Sequence, residues 1–270
     1  MKDRTLVTVL ADYGHLHDLA FAEVRQRLYA ELGDGFLIET VAVPAFDTVA
    51  TGFVLAQMAI NSRLGANHKF FVNTAPRKDD LKPRARNAGE GLAYAKLVNG
   101  VEIVAVDSGH SLSFIRDAAT EMRGLKVAAE GSQFRSRDVF AAAFAKIAHG
   151  DYSAFGSDLM SEVREAPQNC VCYTDGYGNM KCALDIDALM KHKGKDVCVT
   201  LHESEAIVRV ADGIFGVADG QFCLSPGSSG WALPGGKVVR FAEIVKRGGN
   251  AAKTFDAPHG GAAIEWRPLS

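Results

Sequence analysis

Apolar runs and helical periods alternate through the first quarter of the chain, and that alternation restricts the fold more than any other feature. Leu6-Val7-Thr8-Val9-Leu10 is a buried-strand pattern, and Leu19, Phe21, Val24, Leu28 and Leu32 then recur at helical spacing until Gly33. Phe36-Leu37-Ile38-Glu39-Thr40-Val41 is a second strand, a helix is expected over 46–60, and Lys69-Phe70-Phe71-Val72 is a third strand. Strand-helix-strand units call for a parallel sheet with flanking helices, because parallel neighbours need a crossover. The first strand stops at Ala11-Asp12-Tyr13-Gly14, and a later one stops similarly at Asp107-Ser108-Gly109. Open α/β sheets bind ligands at the carboxyl edge of their strands. Asp12 there offers two acceptor oxygens, a match for vicinal hydroxyls such as those of a ribose. The ordinary alternative is that Asp12 caps the following helix.

After Val72 the chain turns polar from Asn73 to Gly91, with Arg77, Lys78, Asp79, Asp80, Lys82, Arg84 and Arg86. Such a stretch is a solvated loop, a lid or an inter-subunit arm. Residues 92–98 and 102–106 flank Asn99-Gly100, which marks a hairpin. A further strand is expected over 125–129 and an alanine-rich helix over 137–149. Phe134-Arg135-Ser136-Arg137-Asp138 precedes that helix, and a polar helix start can hold an anion.

The pattern breaks around 161–167, dividing an N-terminal α/β domain (1–165) from a C-terminal one (166–270). Short runs at 171–174, 197–201, 206–210, 215–217, 222–224 and 262–266 point to a small antiparallel sheet or barrel in the second. The fold class expected is therefore α/β, a mostly parallel sheet with flanking helices followed by a smaller antiparallel β domain.

An apolar fraction of 47%, 23% charged residues and a net charge of -2 fit a globular protein with no general attraction for nucleic acid or anionic membrane. No apolar stretch is long enough to span a bilayer, and Met1-Lys2-Asp3-Arg4 runs into a strand without an apolar leader. Cys170, Cys172, Cys182, Cys198 and Cys223 are odd in number and lack zinc-type pairing, so reduced, partly buried thiols and a cytoplasmic location are expected. His15 and His17 beside Asp18 admit a metal, but at a helix start they are more simply exposed. No metal and no cofactor are expected.

Tyr173-Thr174-Asp175-Gly176-Tyr177-Gly178-Asn179 reads as a strand ending in a tight turn. It is either a plain hairpin or a zwitterion site, Asp175 taking an ammonium and Asn179 donating to a carboxylate. With this turn in view, the chain resembles the S-adenosylmethionine hydroxide adenosyltransferases, which are related to fluorinase and chlorinase enzymes. Asp12-Tyr13-Gly14 is similar to the family's opening T-D-Y/F-G, and Arg137-Asp138-Val139-Phe140 to its F-H-G-R-D-x-F-x-P-A. Asp175-Gly176-Tyr177-Gly178-Asn179 is similar to D-x-F-G-N. Gly227-Ser228-Ser229-Gly230-Trp231 and Gly249-Asn250-Ala251-Ala252 resemble N-S-x-G-Y and G-N-A-A. The resemblance implies an α/β domain followed by a smaller C-terminal antiparallel β-barrel, a homotrimer with active sites between subunits, and a nucleophile attacking the 5' carbon of S-adenosylmethionine. It implies that Asp12 holds the ribose hydroxyls with Phe46 nearby, and that Asp107 and Ser108 lie at the substrate. Asp175 and Asn179 take the methionine amino and carboxylate groups, with Tyr177, Ser228 and Ser229 beside them.

The departures fall on the chemistry. The family's V-D-P-G-V-G is matched by Val72-Asn73-Thr74-Ala75-Pro76, and its F-H-G-R-D by Phe134-Arg135-Ser136-Arg137-Asp138. Asn73 cannot accept a proton as a carboxylate does, and Arg135 stays protonated. Arg135 either faces an anion, halide or hydroxide, or points outward to a carboxylate; Ser136 matches the halide-using members; His110 is a substitute base. The expected catalytic positions are thus Asn73, Arg135 and Ser136. The expected activity is hydrolysis to adenosine and methionine, with halide transfer or binding without turnover as alternatives.

Overall fold

The computed structural model describes residues 4–74, 89–128 and 132–269. The chain divides into two compact units, Met1–Glu165 and Ala166–Ser270.

The first unit is a seven-stranded sheet with strands β1 (Thr5–Ala11), β2 (Phe36–Ala42), β3 (His68–Asn73), β4 (Leu92–Leu97), β5 (Glu102–Val106), β6 (Ala119–Leu125) and β7 (Phe155–Asp158). Their order is β2-β1-β3-β5-β4-β6-β7. The pairs β1/β2, β1/β3 and β3/β5 are parallel, while β4/β5, β4/β6 and β6/β7 are antiparallel. The sheet is therefore mixed: the Asn99-Gly100 hairpin sets β4 antiparallel to β5, and the chain then passes over β4 to reach β6. Helices α1 (Leu19–Leu32), α2 (Thr48–Ala59) and α3 (Ala141–Ala148) complete the unit. The β1-to-β2 and β2-to-β3 crossovers run in opposite directions, so right-handed connections place α1 and α2 on opposite faces. Phe21, Val24 and Leu28 of α1 and Phe144 and Ile147 of α3 share a core with Val7, Val9 and Phe71.

Local chemistry sets the ends of these elements. Asp18, not Asp12, caps α1 by accepting from the Ala20 N–H at 3.0 Å, and Gly33 at φ 67° ends it. Asp47 caps α2 through the Ala50 N–H at 2.8 Å, so that helix begins at Thr48 rather than 46. The strand expected over 125–129 lies earlier, at Ala119–Leu125, and Ala129 is outside the described residues. Only Met122 and Leu125 of β6 are buried, which left its polar sequence without a strand signature. The charged 77–86 stretch also lies outside the described residues.

Gly52 in α2 has a specific reason to be glycine. A Cβ there would lie 2.3 Å from the His110 carbonyl oxygen and 3.0 Å from the Phe114 ring. Gly52→Ala is expected to lower unfolding stability by about 1–3 kcal/mol, the cost of overpacking, read as a shifted denaturant midpoint with an unchanged slope.

The second unit contains β8 (Cys170–Thr174), β9 (Met180–Ala183), α4 (Ile186–Met190), β10 (Asp196–Leu201), β11 (Ser204–Val210), β12 (Phe222–Ala232), β13 (Val238–Lys246) and β14 (Ile264–Pro268). The sheet order is β14-β10-β11-β12-β13-β9-β8. A bridge between Cys170 and Ala263, with the Val171 N–H donating to the Ala262 carbonyl at 2.9 Å, joins its two edges into a curled half-barrel. The pairing is antiparallel as expected except for a short parallel contact between β11 and β12. Residues 215–217, expected as a strand, fall largely in a helical turn, Ile214–Gly216, with the Phe215 ring exposed. All five cysteines are buried thiols outside any disulfide. Among the described residues no helix is long and apolar enough to cross a membrane.

Candidate functional site

The chain leaves β1 toward β2 on one side and returns to β3 on the other, so the sheet's topological switch point lies between the carboxyl ends of β1 and β3. Asp12 and Asn73 sit at that point. The Asp12 N–H donates to the Asn73 carbonyl at 3.1 Å, and the Val43 N–H donates to the Ala11 carbonyl at 3.0 Å. Asp12 Oδ2 accepts from the Phe46 N–H at 2.9 Å. Phe46 has φ 62°, a left-handed conformation that costs a bulky residue about 1–3 kcal/mol, and its ring is 51% exposed. The Asp12 carboxylate thus helps to fix an exposed aromatic beside itself.

A hydroxyl network joins the ends of β3 and β5 to the start of α2. Ser108 Oγ, from the end of β5, donates to the Thr74 carbonyl at 2.5 Å. Thr51 Oγ1 donates to the Asp47 carbonyl at 2.7 Å, which makes Thr74 the donor in the 2.8 Å contact between the Thr51 and Thr74 hydroxyls. Asp47, Thr51 and Thr74 carry no ligand-binding signature in the sequence; their only mark is Asp47 as a helix-cap residue. Burial holds the Asp107 carboxyl above its usual value, Glu162 adds to this, and Arg164 opposes it. His110 lies 3.1 Å through Nδ1 from Ser113 Oγ. Burial and then Arg164 hold it below the usual histidine value, against a backbone hydrogen bond at Glu165, so it is neutral at pH 7.

Arg135 and Ser136 stand just before α3, where Ser136–Phe140 forms a π-helical turn, and both are buried. Arg135 is buried, and no ion pair to a carboxylate is seen for it among the described residues, although the Glu90 charge acts on it through space. Its Nη1 donates to the Glu90 carbonyl at 3.0 Å, its Nη2 to the Ala128 carbonyl at 2.8 Å, and its guanidinium lies 4.7 Å from the Phe140 ring centre. Nε has no hydrogen-bond partner among the described residues. Burial pushes the Tyr13 phenol far above its ordinary range, opposed by the neighbouring Ser136. Arg137 and Asp138 of this polar helix start are satisfied internally. Arg137 forks onto Asp138 at 2.6 and 3.0 Å and reaches Glu23 of α1 at 3.0 Å, while Ser132 donates to Asp138.

In the second unit the turn after β8 is built around Asp175. Its Oδ1 accepts from the backbone N–H groups of Tyr177 (2.9 Å) and Asn179 (3.0 Å). Its Oδ2 accepts from Asn179 Nδ2 (3.1 Å) and Lys181 Nζ (3.0 Å). Burial raises its pKa, but the Asn179 N–H and the Lys181 ammonium outweigh burial and leave it below the carboxylate norm. Asp175 therefore already holds a cation of its own chain, the Lys181 ammonium. Lys181 also bonds Glu243 of β13. Ser225, Glu243 and Lys181 are register partners across β12, β13 and β9. Ser228 and Ser229 lie in the irregularity between Pro226 and Gly230 of β12. Gly227 there packs against β13, where a Cβ would be 3.1 Å from Glu243 Cβ. The Tyr177 ring is 82% exposed. Asn250 and Ala252 meet the same turn, the Ala252 N–H donating to the Gly178 carbonyl at 3.0 Å. The separated sequence motifs thus gather into two sites, one in each unit.

Among the described residues no three His, Cys, Asp or Glu side chains gather as a metal would need. His15 and His17 are exposed. No family model matches the chain, and no curated protein matches it. Solved structures do share its fold. An uncharacterized conserved protein from Thermotoga maritima is 20% identical, with a TM-score of 0.72 over 96% of this chain and 99% of that one. A conserved hypothetical protein from Thermus thermophilus is 21% identical, with a TM-score of 0.66 over 98% of this chain and 100% of that one.

Proposed function

We propose that the chain binds S-adenosylmethionine and hydrolyses it to adenosine and L-methionine. The observation that carries this reading is the pairing of Asp12 with the exposed Phe46 at the switch point of the first sheet. A carboxylate suits the two ribose hydroxyls and an aromatic face suits the nucleoside. In this reading the 5' carbon gains a bond to water oxygen as its bond to sulfur breaks, and the sulfur takes the electron pair. A sulfonium is already a good leaving group, so positioning and exclusion of bulk water supply most of the rate. Asn73 orients the water, and neutral His110 is the base suited to take its proton. The ligand is shared by neighbouring copies of the chain in a homotrimer, the first unit taking the nucleoside and the second the methionyl group.

Halide transfer is the second reading, favoured by the Nε of buried Arg135, which has no hydrogen-bond partner among the described residues, next to Ser136. Incubation of purified protein with S-adenosylmethionine, with and without chloride, separates the readings by product mass. Adenosine plus methionine is the expected result. A 5'-chloroadenosine product moves the assignment to halide transfer, and tight binding without turnover moves it to a nucleoside-binding protein. No product and no binding overturns the assignment.

A further inference from the structure

A carboxylate has about four lone-pair positions, and at Asp175 all four are taken: by the Tyr177 and Asn179 N–H groups, by the Asn179 amide and by Lys181 Nζ. Three of these bonds shape the turn itself, and the fourth is different in kind. Lys181 comes from the neighbouring strand β9, its side chain is 10% exposed, and it is clamped between Asp175 and Glu243. A single cation between two carboxylates is an ammonium site whose occupant is tethered. Asn179 spends one amide N–H on Asp175, so its second is left to donate to a ligand.

On the reading that this turn receives the methionyl end of the ligand, we propose that Lys181 is its specificity-determining residue. Its ammonium stands in for a ligand's ammonium at Asp175. An amino-acid-bearing nucleoside must displace it toward Glu243, whereas a 5'-substituted adenosine without an ammonium has nothing to displace. Wild-type selectivity for S-adenosylmethionine over 5'-methylthioadenosine is lowered accordingly. Glu243 is the part that makes displacement possible, since it keeps the released Lys181 charge paired.

The test measures equilibrium binding of S-adenosylmethionine and of 5'-methylthioadenosine to the wild type, to Lys181→Met, and to Lys181→Met/Glu243→Gln. The double variant removes the uncompensated repulsion that would unfold the single one. The expected result is affinity for S-adenosylmethionine raised about tenfold, the worth of one charge-assisted hydrogen bond, with 5'-methylthioadenosine changed less than about twofold. Equal changes for both ligands, or weaker S-adenosylmethionine binding, mean that Lys181 is a structural ion pair and overturn the proposal. Binding of 5'-methylthioadenosine but never of S-adenosylmethionine also overturns it, while leaving a nucleoside site in place. Binding of neither ligand by any of the three proteins removes the functional reading and this proposal together.

Discussion

Replacing Asp12 by alanine is expected to weaken binding of adenosine and of S-adenosylmethionine by about 100- to 1000-fold. Two hydrogen bonds from ribose hydroxyls to a carboxylate are worth roughly 1.5–3 kcal/mol each, and the lower end of that range already gives two decades. The substitution also removes the acceptor for the Phe46 N–H, which frees the Phe46 backbone to leave its left-handed conformation and take the exposed ring with it. Asp12→Asn separates the two effects. An asparagine keeps one carbonyl oxygen for the Phe46 N–H but loses the charge and the second acceptor. It is expected to retain wild-type stability and still lose most of the affinity. Titration calorimetry with adenosine, paired with thermal unfolding, reads both quantities. Unchanged adenosine affinity in both variants would show that Asp12 serves only to hold the Phe46 loop.

Positions on the first sheet were legible in the sequence wherever burial was two-sided. Strands β1, β3 and β5 read as nearly unbroken apolar runs because helices or loops cover both faces, and their last residues could be placed at the binding edge from chain order alone. Strand β6 was not legible, because five of its seven residues are not buried and little apolar periodicity remains. The same contrast runs through the site. Asp12 stands out as an acid at a strand end, whereas Phe46 reads as the start of a helix and is placed near Asp12 only by the family resemblance; the structure joins the two by a hydrogen bond. Lys181 was illegible. On a four-residue strand between Met180 and Cys182 it resembles any solvent-facing lysine, and only the register that sets β9 against β13 brings Glu243 to it. Arg135 was legible as a charge but not as a buried one, since the carbonyls that hold it come from Glu90 and Ala128, far apart in sequence. Local pattern thus reports a side chain's own exposure, whereas pairing across strands decides what that side chain touches.

Gly178→Ala is expected to destabilise the second unit by about 3–4 kcal/mol, the sum of a backbone cost and lost local bonds. Gly178 has φ 83°, where an alanine costs roughly 1–2 kcal/mol. Its added Cβ would lie 2.1 Å from Asn250 Cγ and Oδ1, so Asn250 must move. Asn250 Oδ1 accepts from the Lys253 N–H at 2.9 Å and so ties down the start of the helical turn Ala252–Phe255; losing such a bond costs about 1 kcal/mol. Displacing that turn also strains the bond from the Ala252 N–H to the Gly178 carbonyl, worth about 1 kcal/mol, and loosens Phe255, which is fully buried in the core of this unit. Both tryptophans, Trp231 and Trp266, belong to the second unit, so their emission during denaturant unfolding reports its stability without a contribution from the first. The decisive comparison is the double variant Gly178→Ala/Asn250→Ala. Removing the Asn250 side chain relieves the clash, so the pair is expected to be clearly non-additive and less destabilised than the sum of the single variants. Strict additivity would mean that Gly178 is needed for its backbone conformation alone. The junction between the Asp175 turn and the Gly249-Asn250-Ala251-Ala252 segment would then not be the packed contact that brings these two motifs together.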